Sequence, residues 1–189
     1  MIYETKKYEG LSGLTGFSDT LLRNHFTLYE GYVKNVNSII TILPTLKPNL
    51  PEYNELHRRY GWEWNGMRMH ELYFENLTKD YQPLDVHGIF SVKIEENFGS
   101  VEKWQEEFKA LGLTRGIGWV ALVKDNLTGT LMNVWVGEHD QGQLAGASII
   151  LVMDVWEHAY ITDYGIKRAD YIENFMKAIN WSVVQSRLQ

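Results

Sequence analysis

Asp154-Val155-Trp156-Glu157-His158-Ala159-Tyr160 closes the apolar run Ser148-Ile149-Ile150-Leu151-Val152-Met153, and the reading of this stretch decides the fold. The run is short and rich in β-branched residues, which predicts a buried strand over Ile149 to Trp156. It delivers a carboxylate and an imidazole, four residues apart, to the edge of an apolar environment. Burying Asp154 and His158 there is costly unless something pairs with them. A metal ion is the simplest partner with enough charge, and it would need further ligands from elsewhere in the chain.

Upstream, Gly118 to Val123 and Thr130 to Val136 have strand character and flank Asp125-Asn126-Leu127-Thr128-Gly129, a hairpin loop. Before them Ile94, Phe98, Trp104, Phe108 and Leu111 recur at helical steps. Ser91 and Ser100 are candidate N-caps, and Gly112 is the expected stop. Downstream, a closing helix is predicted from about Asp170 to Ile179, with Asp170 and Glu173 at capping-box spacing.

The N-terminal half has a different rhythm. After an irregular arm of about 16 residues, Ser18 or Asp19 can cap a long amphipathic helix. Its stripe of Leu21, Leu22, His25, Leu28, Tyr29, Tyr32, Val36, Ile39 and Ile40 includes a histidine. Pro44, Pro48 and Pro51 then form a linker, and Pro51 suits the first turn of a second helix carrying Met67, His70 and Phe74 to about Leu77. The expected architecture is α+β: an N-terminal antiparallel helical hairpin domain over 1–80, then a C-terminal domain over 81–189 with a three-stranded antiparallel sheet and helices. The metal site would lie between them.

Composition narrows the function. The chain of 189 residues has a net charge of −6 and no basic block, which argues against a nucleic-acid surface. It has no cysteine, so thiolate metal sites and cysteine nucleophiles are excluded. No apolar stretch reaches the roughly 20 residues a membrane helix needs, so the expectation is a cytoplasmic protein without a membrane partner. Seven Trp and eleven Tyr predict an aromatic-lined core or site.

Three of the six histidines, His25, His70 and His158, sit on apolar stripes or beside the apolar strand. One such histidine is ordinarily a hydrogen-bonded core residue; three together with Asp154 form a donor set suited to Fe, Mn or Zn. His70-Glu71-Leu72-Tyr73-Phe74 lacks the second histidine of a zincin helix, no histidine has Glu three residues before it, and no Gly-x-Ser-x-Gly elbow occurs.

The heptad at 154–160, followed by Tyr164, Asp170-Tyr171-Ile172 and Asn180-Trp181, resembles the C-terminal signature of iron/manganese superoxide dismutases. Phe98-Gly99-Ser100, Trp104, Phe108 and Gly118-Trp119 extend the resemblance upstream, as do Asn65-Gly66 with His70, Tyr73 and Phe74, and His25 with Tyr32-Val33 and Asn37. It implies one Fe or Mn ion per chain, held by His25, His70, Asp154 and His158, and conversion of superoxide to dioxygen and hydrogen peroxide. It further implies a homodimer, or a tetramer, with Glu157 reaching a ligand histidine across the interface, and Trp119 and Trp156 walling the site.

Three departures from the family pattern stand out. Tyr32 follows His25 by seven residues where the family has eight, which implies a helix without a local bulge. The gateway histidine is missing, Tyr29 taking its face, and Ile161 replaces a tyrosine. Gly66 stands at one usual place of the glutamine beside the metal-bound solvent, and His139, fifteen residues before Asp154, is expected to take that role from the other place. Tyr32 and Tyr29 would complete the proton path, and Lys167 and Arg168 are candidates for steering the anion. The competing readings are a mononuclear Zn hydrolase using the same ligands and a non-catalytic protein that kept the fold.

Overall fold

The computed structural model describes residues 2–188. Helix α1 (Asp19–Ile42) starts where the Ser18 hydroxyl accepts the Leu21 N–H at 3.1 Å, an N-cap bond. Ser18 is itself tied to Asp163 by its backbone N–H (2.7 Å) and hydroxyl (2.6 Å), so the cap also fastens the C-terminal part of the chain. Leu21, Leu22, His25, Tyr29, Tyr32, Val33, Val36 and Ile39 are buried along one face, and the helix is uninterrupted α over its whole length. His25 is buried where Asn24 is exposed, so the seven-residue step to Tyr32 is accommodated by a regular helix.

Helix α2 (Pro51–Glu75) has its proline in the first turn, as the linker predicts. It packs against α1 as the helical hairpin. Its buried face mixes Met67, Met69, His70, Tyr73 and Phe74 with two buried carboxylates, Glu63 and Glu71.

The connection to the second half carries α3 (Ile89–Phe98) and α4 (Val101–Gly112). Ser100 caps α4, accepting Lys103 N–H at 3.2 Å. Ser91 does not cap α3: Gly88 holds that position, and Ser91 sits inside the helix with its hydroxyl donating to the Asp85 carbonyl at 2.6 Å. Gly112 ends α4, but not through a left-handed turn. A Cβ there would lie 2.6 Å from Met153 Cε and 2.8 Å from Ile172 Cδ1, so the glycine permits close packing of α4 on the core.

Strands β1 (Gly118–Asp125), β2 (Leu131–Gly137) and β3 (Ala147–Asp154) form an antiparallel sheet in the order β2-β1-β3. The register sets Trp119 opposite Val136 on one side and Asp154 on the other. The start of β1, the exit of β2 and the end of β3 therefore meet at one end of the sheet. Helix α2 packs on β3, and the buried Asn76 amide donates to the Val152 carbonyl at 2.7 Å.

Strand β3 ends at Asp154 instead of continuing to Trp156, because Asp154 Oδ1 accepts the Trp156 N–H at 2.8 Å and turns the chain into a 3₁₀ segment, Glu157–Ala159. Two short helices not anticipated from the sequence, α5 (Ile161–Tyr164) and α7 (Trp181–Ser186), flank α6 (Arg168–Met176). The expected capping box is absent: α6 begins two residues before Asp170, with Lys167 at the cap position. Among the described residues no helix is long and apolar enough to cross a membrane.

Candidate metal centre

Two helices and the sheet bring His25, His70, Asp154 and His158 together, with one potential ligand atom from each lying within 4.8 Å of all the others. His25 and His70 face each other across the α1–α2 packing; Asp154 comes from the last position of β3 and His158 from the turn after it. Asp154 Oδ2 stands 3.1 Å from His25 Nε2, 3.1 Å from His158 Nε2 and 3.6 Å from His70 Nε2. The carboxylate's position is fixed by its other contacts: Oδ1 takes the Trp156 N–H, and the residue's carbonyl accepts the Tyr171 hydroxyl at 2.7 Å.

Protonation follows from burial. Burial pushes the His70 imidazole well below its ordinary pKa, helped by the neighbouring His25, so His70 is neutral. Its Nδ1–H donates to the Gly66 carbonyl at 2.5 Å, which leaves the Nε2 lone pair aimed into the cluster. That Nε2 is buried with no hydrogen-bond partner. Burial lowers the His25 pKa as well, against the pull of the Asp154 hydrogen bond. For Asp154, burial opposes ionisation, but the His158 charge and the hydrogen bonds from His158 and His25 outweigh it and hold the pKa well below the carboxylate range.

Three imidazole nitrogens therefore crowd one carboxylate oxygen in a site that is buried except at the partly exposed His158, and one of them presents an unused lone pair. A cation resolves that arrangement: neutral imidazoles and one carboxylate supply its ligands, and His70 is already oriented by the contact behind it. The residues present fit a mononuclear metal ion.

One side of the cluster is walled by aromatics. His139, on the turn after β2, is fully buried; its Nδ1 accepts the Trp119 Nε1–H at 3.0 Å, and its Nε2 lies 2.7 Å from the Tyr32 hydroxyl. Burial depresses its pKa to about 4. With Nδ1 an acceptor, the neutral ring carries its proton on Nε2 and donates to the Tyr32 oxygen. Burial raises the Tyr32 pKa, so the hydroxyl keeps its proton. The Tyr32 ring stacks on His70 with centroids 5.1 Å apart and presses on Gly66, where a Cβ would lie 2.6 Å from the ring.

Trp156 stacks on His139 at 4.9 Å, and Trp62 meets the same ring edge-on at 4.4 Å. Trp62 escapes the sequence reading because α2 mixes aromatic and charged residues around its circumference. Arg59, one turn earlier, lies 3.6 Å above the Trp62 ring and adds a positive charge that acts on both His139 and Tyr32.

Tyr29 does not join this group. Its hydroxyl donates to Glu71 Oε1 at 3.0 Å and accepts the Lys6 N–H at 3.1 Å, and its ring packs on Tyr8 and Phe74. Helical geometry explains the separation: four residues advance Tyr29 about 40° past His25, whereas seven leave Tyr32 about 20° on the other side. The buried Glu71 carboxylate then captures the Tyr29 hydroxyl. Glu157 is exposed beside His158. Lys167 is exposed, while the Arg168 guanidinium donates to the carbonyls of Thr114 (2.8 Å) and Gly116 (2.9 Å) and to the Tyr160 hydroxyl (3.2 Å).

Residues 86–187 match the family described as iron/manganese superoxide dismutases, C-terminal domain. Along the whole chain, the superoxide dismutase (Fe) of Cupriavidus metallidurans is 39% identical, covering 99% of this chain and 96% of its own length. The superoxide dismutase (Fe) of Aquifex pyrophilus is 33% identical over 98% of this chain and 91% of its own. The superoxide dismutase (Mn) 2 of Haloferax volcanii is 33% identical over 88% and 83%, respectively.

Proposed function

The chain belongs to the iron/manganese superoxide dismutase family, and we propose that it converts superoxide to dioxygen and hydrogen peroxide at the His25-His70-Asp154-His158 cluster. The observation that carries this reading is the buried convergence of three imidazoles and a carboxylate, with the His70 Nε2 lone pair lacking any protein partner. Those four residues would hold one Fe or Mn ion per chain. The bound ion supplies one-electron exchange with superoxide. The Asp154 carboxylate is the one anionic group the protein places in the cluster, which favours the higher oxidation state and so holds down the potential.

Two superoxides and two protons give one dioxygen and one hydrogen peroxide, so the protein must deliver protons. Tyr32 and His139 are the residues suited to this. Trp119 occupies His139 Nδ1, His139 Nε2–H occupies one lone pair of the Tyr32 oxygen, and the Tyr32 O–H is left to donate toward the cluster. The His139 Nε2–H bond then stabilises the tyrosinate oxygen left when Tyr32 gives up its proton, until Tyr32 is reprotonated. Gly66 supports assigning His139 the place of the family's solvent-contacting glutamine, because any side chain at 66 would collide with the Tyr32 ring. The net charge of −6 opposes an anionic substrate, so local cations must guide it; Arg59, Lys167 and Arg168 are assigned that role.

The same reading includes two domains divided at about residue 80, a cytoplasmic location, and a homodimer in which the exposed Glu157 reaches a ligand histidine of the second copy. Reconstitution tests the whole. Metal-free protein loaded separately with Fe and Mn should regain superoxide-consuming activity with at least one of them. Stoichiometric Zn with no redox activity under any loading would overturn the reading. His139→Ala should keep its metal and lose most turnover; full activity in that variant would remove His139 from the proton path.

A further inference from the structure

Three indole N–H groups converge on one dipeptide, Glu138-His139, at the turn after β2. Trp119 donates to His139 Nδ1 at 3.0 Å, Trp62 to Glu138 Oε2 at 3.0 Å, and Trp156 to the Glu138 carbonyl at 3.4 Å. Two further polar groups are held as well: Glu138 N–H donates to the Ile117 carbonyl at 3.0 Å, and the Gln143 side chain donates to the His139 carbonyl at 2.9 Å. Within this clamp Glu138 has φ +49°, a left-handed conformation that is sterically unfavourable for a side-chain-bearing residue. Glycine is the residue that adopts it freely. A glutamate persists there only if the surroundings over-determine it, and such local strain is concentrated at sites where a side chain must be aimed.

What glycine cannot supply is the carboxylate. Glu138 Oε2 takes the N–H of Trp62, a residue of α2, and the Trp62 ring in turn packs on His139. The contact joins the helix that bears His70 to the turn that bears His139, so the two are fixed relative to each other. We infer that Glu138 is a positioning residue: its carboxylate, anchored on Trp62, holds the left-handed turn that sets the His139 ring between the Trp119 N–H and the Tyr32 hydroxyl. This rests on the proposed role of His139 but adds the device that selects the tautomer. If the ring swings, Nδ1 loses the indole donor and the proton is free to sit on either nitrogen.

The test uses ¹⁵N NMR of the imidazoles in the full-length protein loaded with diamagnetic Zn(II), alongside turnover of the Fe- or Mn-loaded protein. Wild-type His139 should be a single Nε2–H tautomer. Glu138→Gly, which relieves the backbone but removes the anchor, and Trp62→Phe, which keeps a ring but removes the N–H, should each mix the tautomers and lower turnover about tenfold at unchanged metal content. Glu138→Gln keeps an oxygen acceptor for Trp62 and should restore the single tautomer and at least half of the turnover. The inference is overturned if His139 stays a single Nε2–H tautomer in both Glu138→Gly and Trp62→Phe, or if Glu138→Gln is as damaging as Glu138→Gly. The tautomer readout decides the matter even in a protein that proves inactive toward superoxide, so failure of the dismutase reading is distinguishable from failure of this one.

Discussion

Gly66→Ala is the sharpest perturbation the geometry offers. The added Cβ would lie 2.6 Å from Tyr32 Cδ1 and Cε1, about 1 Å inside ordinary carbon contact. The α2 backbone cannot retreat, because the Gly66 carbonyl holds His70 Nδ1, so the Tyr32 ring must move. A displacement of that size would stretch the 2.7 Å contact between Tyr32 and His139 beyond hydrogen-bonding distance. Overpacking costs about 1–3 kcal/mol and the lost buried hydrogen bond roughly another 1. Against this, alanine stabilises a helix interior by about 0.8–1 kcal/mol over glycine. The net is about 1–3 kcal/mol of destabilisation, so the steric term wins. At roughly 2–4 °C per kcal/mol for a chain of this size, Tm should fall by about 2–12 °C. Turnover should fall roughly tenfold or more as the Tyr32 hydroxyl is pulled away from His139. Calorimetry and a superoxide-consumption assay read the two effects. Unchanged turnover with a Tm equal to or above wild type would show that Tyr32 is not locked between Gly66 and His139, and the assignment of that pair to proton delivery would fall with it.

Three further outcomes are expected. Because burial depresses the His139 pKa from 6.5 to about 4, the folded state binds fewer protons than the unfolded state between those values. The resulting stability is fully present above about pH 6.5 and is lost as pH falls toward 4, amounting to about 3 kcal/mol. His139→Gln should flatten this part of the stability profile in urea titrations at a series of pH values, and a slope equal to wild type would contradict the assignment. Chelation should lower Tm, and restoring metal at about a hundredfold over its Kd should return about 2.7 kcal/mol; His158→Ala, read by metal analysis, should bind weakly and lose that response. Ser18→Ala removes the α1 cap and the hydroxyl half of the tie to Asp163, leaving the backbone N–H bond, and should cost about 1–2 kcal/mol, with activity per bound metal unchanged.

What the sequence made legible is what local physics determines. The stripe of α1, the Pro51 start of α2, the Ser100 cap and the three strands are each a periodicity or a turn residue, and they appear close to where expected. The heptad placed Asp154 and His158, and the apolar settings of His25 and His70 marked them as unusual. The misses have a common cause in tertiary competition. Ser91 and Asp170 were plausible caps, but the Asp85 carbonyl engages the first and α6 begins ahead of the second. Gly112 does end α4, but its lack of a Cβ serves the close packing on Met153 and Ile172 and not a left-handed cap, which no local signal reveals. Tyr29 lies on the predicted face, yet the buried Glu71 takes its hydroxyl. Trp62 and Glu138, 76 residues apart in sequence, become partners only once α2 docks on the sheet end.

The excess of tryptophan acquires a chemical reason from the same geometry. Indole has one N–H donor and no acceptor, and it does not titrate. Each of Trp62, Trp119 and Trp156 can therefore fix an acceptor on the Glu138-His139 turn without offering a proton an alternative resting place. A tyrosine in any of these positions would add a second hydroxyl able to exchange protons with His139, and a histidine would add a second base. Their rings also exclude water from His139, which keeps the imidazole neutral and makes the order of donors along Trp119, His139 and Tyr32 a matter of structure instead of solvent averaging. With Nδ1 occupied by an indole, His139 has one proton to offer, on Nε2, and it is aimed at the Tyr32 oxygen. The three tryptophans thus convert a histidine that could hold its proton on either nitrogen into a fixed donor that orients the Tyr32 hydroxyl and stabilises its anion.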